Sequence, residues 1–217
     1  MMGGGFCGES TFNETVESCY KRSDTIFGSS KEFPPLFDFD AFGVLATEKS
    51  KNPVFWDWTK VFIIYCDGSI HVGNRENPIN YKGKDLYFRG SRNALEHFRY
   101  LDEHHNFYNK ERIVLSGLSA GGIGTYYWVD YLKEHTKTAK VVAIPDSGVF
   151  IDDFFSPIAQ KQVTLEKFEN LLKVVGMPSG DDLPVCVQKC LNDTKNESLC
   201  TTTPAYLNYI QSPLLII

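Results

Sequence analysis

Hydrophobic positions along this chain fall in two habits: short continuous runs, and longer stretches in which they recur at helical spacing. The run "TKVFIIYCDG", residues 59–68, is β-branched and aromatic and closes on Asp67 and Gly68, which predicts a buried strand. In "GKDLYFRGSRNALEHFRYLDEHH", residues 83–105, Leu86, Phe88, Ala94, Leu95, Phe98 and Leu101 approach helical spacing over the second half, predicting a crossover helix. "ERIVLSG" reads as a second strand, "GGIGTYYWVDYLKEH" as an amphipathic helix carrying Tyr127, Val129, Tyr131 and Leu132, and "AKVVAIPDSG" as a third strand. Strand, helix, strand, helix, strand is the rhythm of an α/β layer around a parallel sheet. Continuous rather than alternating runs suit strands covered on both faces.

The flanks follow other rules. The first fifty residues read as loop, because the glycines at 3–5, the polar run "GESTFNETVES" and the adjacent Pro34 and Pro35 interrupt any helix. Residues 150–204 break the rhythm: one helix is expected over 164–175, and the cysteine-rich stretch behind it reads as a surface excursion, a cap-like insertion over the sheet. "SPLLII", at 212–217, reads as the opening of a further buried strand.

Length and composition narrow the class. At 217 residues, 42% hydrophobic and 23% charged, the chain is expected to be a single globular domain over 1–217. A net charge of −5 provides no basic footprint for nucleic acid or an anionic membrane, and no apolar run is long enough to span a bilayer. Six cysteines without a CxxC pair or Cys/His ligand spacing argue for disulfides rather than zinc, so no metal is expected. Sequons at Asn13, Asn192 and Asn196 fit the same oxidising, secretory route. No charged-then-apolar leader precedes the first glycines, so either that compartment is wrong or the natural start lies upstream of Met1.

The candidate chemistry lies in "IVLSGLSAGGIG", residues 113–124. Gly117, Ser119 and Gly121 fit G-x-S-x-G, a pattern that places a serine in a tight turn between strand and helix, where the flanking positions must be small for the backbones to pass. A predicted strand on one side and a predicted helix on the other supply the required context. The competing reading, a glycine-rich turn that packs or binds phosphate at a helix N-terminus, lacks a GxGxxG or lysine-bearing phosphate loop. A serine nucleophile needs a histidine base held by a carboxylate, and in this order of motifs both follow the serine. The only histidine after Ser119 is His135, four turns along the helix and roughly 20 Å away at about 1.5 Å per residue. Ala120 supplies one oxyanion donor by position, and "GGGFC" at 3–7 has the composition of the loop that supplies another.

Taken in order, "GGGFC", "VFIIYCDGSIHVG", "DLYFRGSRNAL", "LSGLSAGG" and "IPDSGVFID" resemble the pectin acetylesterase and Notum family of serine carboxylesterases across essentially the whole chain. The resemblance implies an α/β-hydrolase-like fold, mostly parallel and flanked by helices, with Ser119 as nucleophile and an oxyanion hole built from the backbone of Gly4, Gly5 and Ala120. It implies no cofactor, a secreted enzyme, and an acylated polysaccharide or a lipid-modified protein as substrate. Phe6 stands where family members often carry tryptophan. A disulfide between Cys7 and Cys19 fits this frame, with Cys66 expected to need a partner upstream. The family's acid and histidine would fall beyond Ile217; Asp146 is an alternative acid, although its "DSG" motif reads more readily as a pocket wall or turn anchor.

The same frame places a strand ahead of residue 3, between "VFIIYC" and "RIVL", so the chain reads as a domain incomplete at both ends. Unpaired buried backbone groups cost about 1–3 kcal/mol each, enough in combination to rival a domain's whole stability. The 217-residue polypeptide alone is therefore expected to be inactive and poorly folded. A glycan- or lipid-binding module on the same fold is the alternative reading, and a lipase with a mobile lid a third.

Overall fold

The structure, a computed structural model, describes residues 1–148, 161–180, 183–201 and 205–217. Its centre is the pair of strands β3 (Arg112–Leu118) and β4 (Lys140–Asp146), parallel and in register from Arg112 opposite Lys140 to Leu118 opposite Asp146. Helix α3 (Ala120–His135) crosses between them, as the strand-helix-strand rhythm requires. On the far side of β4 the run 213–217 lies parallel to it: the Ala143 N–H donates to the Pro213 carbonyl at 3.0 Å and the Leu215 N–H to the Ala143 carbonyl at 2.9 Å. The expected further strand is therefore there.

On the near side of β3 the expected strand at 59–68 is corrected. Ile63 and Tyr65 point inward and are buried, but residues 61–66 take one ladder bond, from the Met2 N–H to the Ile63 carbonyl at 3.0 Å. An apolar run becomes a sheet strand only when a neighbour pairs with it along its length, and here Met1 and Met2 alone sit between it and β3. Beyond them a cleft of about 610 Å³ separates Val61 and Ile63 from Ile113 and Leu115, with Phe98 and Phe107 in its walls.

Three further elements depart from expectation. The polar run near the N-terminus is helix α1 (Phe12–Arg22), started by Thr11, whose Oγ1 accepts the Glu14 N–H and donates to the Glu14 carboxylate, with Thr15, Val16 and Cys19 buried beneath it. A two-stranded hairpin, β1 (Ile79–Tyr81) and β2 (Lys84–Leu86), precedes the crossover helix α2 (Gly90–His105) and turns through Lys82 and Gly83, at φ +50° and +78°. Helix α3 is buried around its circumference from Ala120 to Asp130 rather than along one face.

The far face of α3 is covered by the later helices. Of the cap-like stretch 150–204, residues 150–160, 181–182 and 202–204 lie outside the described residues. Its helices α4 (Lys161–Val175), α5 (Val185–Thr194) and α6 (Glu197–Thr201) contribute Leu171, Val174, Cys186, Val187, Cys190 and Cys200 to the same core as α3, instead of lying wholly on the surface. The Tyr127 hydroxyl donates to the Thr201 carbonyl at 2.8 Å, and the Tyr206 ring lies 4.9 Å from that of Tyr127. Disulfides join Cys7 to Cys19 and Cys190 to Cys200, while Cys66 and Cys186 are free thiols.

Candidate active site

Where β3 gives way to α3, the chain turns through Ser119 at φ +56° and ψ −117°, a conformation that disfavours any residue with a side chain. The surroundings fix it there. A Cβ at Gly117 would lie 2.2 Å from the Gly121 carbonyl oxygen, and one at Gly122 would lie 2.8 Å from that of Asp146. The Ser119 N–H donates to the Asp146 carbonyl at 2.8 Å, tying the bend to the end of β4. Ser119 is half-buried and the preceding Leu118 is 55% exposed, so the bend projects from the carboxyl edge of the sheet toward solvent.

Ala120 opens α3 and is buried. Its N–H is among the first four of the helix, which have no intrahelical acceptor, and Ser119 makes no side-chain cap bond to that helix. This helix end carries a partial positive charge and lies beside Ser119. The glycine loop packs directly on the bend: a Cβ at Gly3 would lie 2.4 Å from the Leu118 carbonyl oxygen and 3.6 Å from Ser119 Cβ. Gly4 and Gly5 both take positive φ, +126° and +66°. A Cβ on Gly4 would strike the Phe27 ring at 2.8 Å, while the same position on Gly5 faces open space. The glycine loop therefore meets the bend through Gly3, with Gly4 and Gly5 next along the chain.

Sequence reasoning missed what holds that loop. The His71 Nε2 lies 2.9 Å from the Met2 carbonyl, the Arg22 Nη1 donates to the Gly4 carbonyl at 2.6 Å, and the Tyr65 hydroxyl donates to the Gly5 carbonyl at 3.0 Å. A nitrogen facing a carbonyl must carry the proton, so His71 is the Nε2–H tautomer. Burial lowers its pKa to about 3 and keeps the ring neutral; burial likewise pushes the Tyr65 phenol above its ordinary range. Tyr65 and His71 fall within "VFIIYCDGSIHVG", but nothing in that stretch points to the glycine loop, and Arg22 lies outside every motif.

The rest of a triad is not assembled. Asp146 stands beside the bend, but its Oδ1 accepts the Ser147 hydroxyl at 2.7 Å, and its carbonyl is the acceptor for Ser119. His97 bonds the Asn93 carbonyl, His104 and His105 lie against Tyr100, and His135 stacks on Tyr131 at the far end of α3. With His71 engaged by Met2, no hydrogen bond joins any of the five histidines to Ser119. Among the described residues no group of His, Cys, Asp and Glu is placed to hold a metal ion. The 610 Å³ cleft is lined by Ile113, Val114, Leu115 and Ser116 of β3 and does not include Ser119.

A strained serine at the carboxyl edge of a parallel sheet, with helices on both sides, is the architecture of an α/β hydrolase, and the fold is of that class. A crystal structure of the Wnt deacylase Notum from Drosophila superposes with a TM-score of 0.78 over 99% of this chain and 59% of that one, at 22% identity. The pectinacetylesterase family profile matches residues 1–217, and the chain belongs to that family. Similar relatives include pectin acetylesterase 5 of Arabidopsis thaliana, 32% identical over 99% of this chain and 46% of that protein. The human palmitoleoyl-protein carboxylesterase NOTUM is 28% identical over 70% of this chain and 29% of that protein. The chain spans about half the length of the full-coverage pectin acetylesterase relatives, 46% and 51%.

Proposed function

We propose that residues 1–217 carry the nucleophile and oxyanion half of a serine carboxylic-ester hydrolase. The observation that carries this reading is Ser119 itself: a non-glycine residue at φ +56°, wedged by glycines and set beside the first N–H of α3. A binding module gains nothing from that strain, whereas a nucleophile gains exposure and a fixed approach. Ser119 Oγ attacks the ester carbonyl as its proton passes to a histidine. The negative charge on the former carbonyl oxygen is met by the Ala120 N–H and those of the glycine loop. Collapse expels the alcohol, which takes that proton, and leaves an acyl-serine; water then attacks it and releases the acid.

In this reading the histidine and its acid belong to the other part of the length over which the relatives extend, with Asp146 supporting the bend through its carbonyl. The relatives' names direct the substrate to an acetylated pectin or an acylated protein. Two disulfides and three solvent-exposed sequon asparagines support an oxidising, secretory setting. In the full-length protein, Ser119→Ala should abolish turnover of p-nitrophenyl acetate and labelling by a fluorophosphonate. The 217-residue polypeptide alone should show no turnover; a cooperative melt together with ester hydrolysis by that polypeptide, or activity in S119A, overturns the reading.

A further inference from the structure

We propose that Arg22, Tyr65 and His71 are positioning residues for the oxyanion loop: by holding its carbonyls away from the bend at Ser119, they aim the N–H groups of Gly5 and Phe6 at the reacting oxygen. This rests on the ester-hydrolase reading above. In a trans peptide the C=O and N–H of one unit point in opposite directions. The Gly4 carbonyl is held by Arg22 Nη1 at 2.6 Å, which turns the Gly5 N–H the other way. The Gly5 carbonyl is held by the Tyr65 hydroxyl at 3.0 Å, which does the same for the Phe6 N–H. On this proposal the loop's donors are the N–H groups of Gly5 and Phe6, one residue along from the Gly4 and Gly5 that the family resemblance implies. Glycine at positive φ is free to rotate its peptide units, so without these bonds nothing local would select one orientation.

The clamp is a continuous stack. The His71 ring lies 4.7 Å from that of Tyr65, and the Arg22 guanidinium lies 5.0 Å from the Tyr65 centroid and 5.4 Å from that of Phe27. The Phe27 ring closes the layer against Gly4. Arg22 Nε and Nη2 are buried and take no hydrogen bond among the described residues; its charge is met by the two aromatic faces and by the nearby Asp67 carboxylate.

His71 reaches the loop from a strained turn. Ile70 and His71 both take positive φ, +52° and +65°, and the Val72 N–H closes the turn on the Ser69 carbonyl at 3.0 Å. A β-branched residue in that region is an outlier. Two bonds hold it there: the Ile70 N–H donates to the Tyr65 hydroxyl at 2.8 Å, and Trp128 Nε1 of α3 donates to the His71 carbonyl at 3.0 Å. The oxyanion loop and the nucleophile helix are therefore referenced to one another through His71 and Trp128.

The test uses the full-length protein with p-nitrophenyl acetate as substrate. Tyr65→Phe removes one oxygen atom, and Arg22→Met removes the guanidinium while keeping its bulk. Each should lower kcat by at least about tenfold and by no more than the roughly hundredfold-to-thousandfold loss that follows outright removal of an oxyanion donor, with KM within about threefold. Arg22→Lys, which retains a charged donor, should recover part of the R22M loss. Affinity for an alkyl trifluoromethyl ketone, which forms the tetrahedral adduct, should fall in step with kcat. A purely structural role predicts a lower melting temperature with kcat and ketone affinity unchanged below it, and that outcome overturns the proposal. If R22M does not fold, Y65F decides the matter. Activity in S119A would sink the hydrolase reading itself, whereas a dead S119A beside fully active Y65F sinks only the clamp.

Discussion

Helices α2 and α3 are both sixteen residues long, and they are specified in opposite ways. Helix α2 carries local signals along its length and at its end: charged residues face solvent while Ala94 and Phe98 face the core, and Asn106 in the left-handed conformation stops it, although its start, like that of α3, has no cap of its own and relies on the Asp67 carboxylate, 22 residues earlier, accepting the Arg89 N–H. Helix α3 starts at a strained serine without a side-chain cap, and Gly121, Gly122 and Gly124 lie in its first turns, each costing about 1 kcal/mol relative to alanine. Burial of Ile123, Tyr126, Tyr127, Trp128, Val129 and Leu132, at roughly 1.5–3 kcal/mol for a fully buried large side chain, outweighs that cost. Helix α2 would be recognisable on its own surface; α3 exists because of what surrounds it, and the candidate nucleophile sits on α3.

The sharpest way to break this contrast is at the glycines that let α3 begin. A Cβ at 117 would meet the Gly121 carbonyl oxygen at 2.2 Å and its carbon at 2.4 Å, and neither can rotate aside as a side chain would. Gly117→Ala is therefore expected to cost about 3 kcal/mol or more in a urea melt, at the upper end of overpacking effects. A loss below 1 kcal/mol would show that the bend can relax, and that α3 is less dependent on its surroundings than its burial implies.

The same contrast explains what could be read from the sequence. Helix α2, strands β3 and β4 and most of α4 follow from periodicity, and Ser119 follows from a motif whose glycines are sterically required. Helix α3 was expected to be amphipathic because its second covering layer, Tyr206 and helices α5 and α6, comes from far along the chain. Helix α1 was hidden by its polar composition, although Thr11 and Glu14 stood at capping-box spacing and Thr15, Val16 and Cys19 lay on one face. The run at 61–66 had the right residues for a strand; pairing, which no local pattern encodes, decides the outcome. Arg22, Tyr65 and His71 were illegible for a related reason: their common target, residues 2–5, meets them only in the folded chain.

A milder probe of the same contrast is proton binding at His71, whose ring packs against Gly124 of α3 while His104 and His105 of α2 are exposed. The folded-state pKa of about 3 lies below the ordinary 6.5, so between these values the unfolded chain takes up a proton that the folded chain refuses. His71 therefore contributes no pH dependence above about 6.5, and its contribution falls by up to about 1.4 kcal/mol per unit as pH drops toward 3. His71→Gln keeps a donor for the Met2 carbonyl and removes the titration. Between pH 6.5 and 4.5 its stability should fall by about 2 kcal/mol less than that of the wild type. Equal losses would mean that solvent reaches the His71 ring and that the clamp is open.

The smallest effect belongs to the exposed face of α2, and it is informative because it is small. Arg99 pairs with Glu96 three residues before it and with Glu103 four residues after it, the latter at 2.8 Å, and all three side chains are about half exposed or more. Exposed pairs at these spacings contribute about 0.3–0.5 kcal/mol each, and alanine recovers a few tenths through its helix propensity. Arg99→Ala should therefore shift stability by no more than about 0.5 kcal/mol. That shift should vanish in 1 M salt, where the screening length falls to about 3 Å, and p-nitrophenyl acetate turnover by the full-length protein should be untouched. A loss above 1 kcal/mol that persists in salt would mean that this face is covered rather than solvated. Helix α2, like α3, would then owe its stability to a neighbour, and the distinction between a locally specified helix and a packed one would fail at its weaker end.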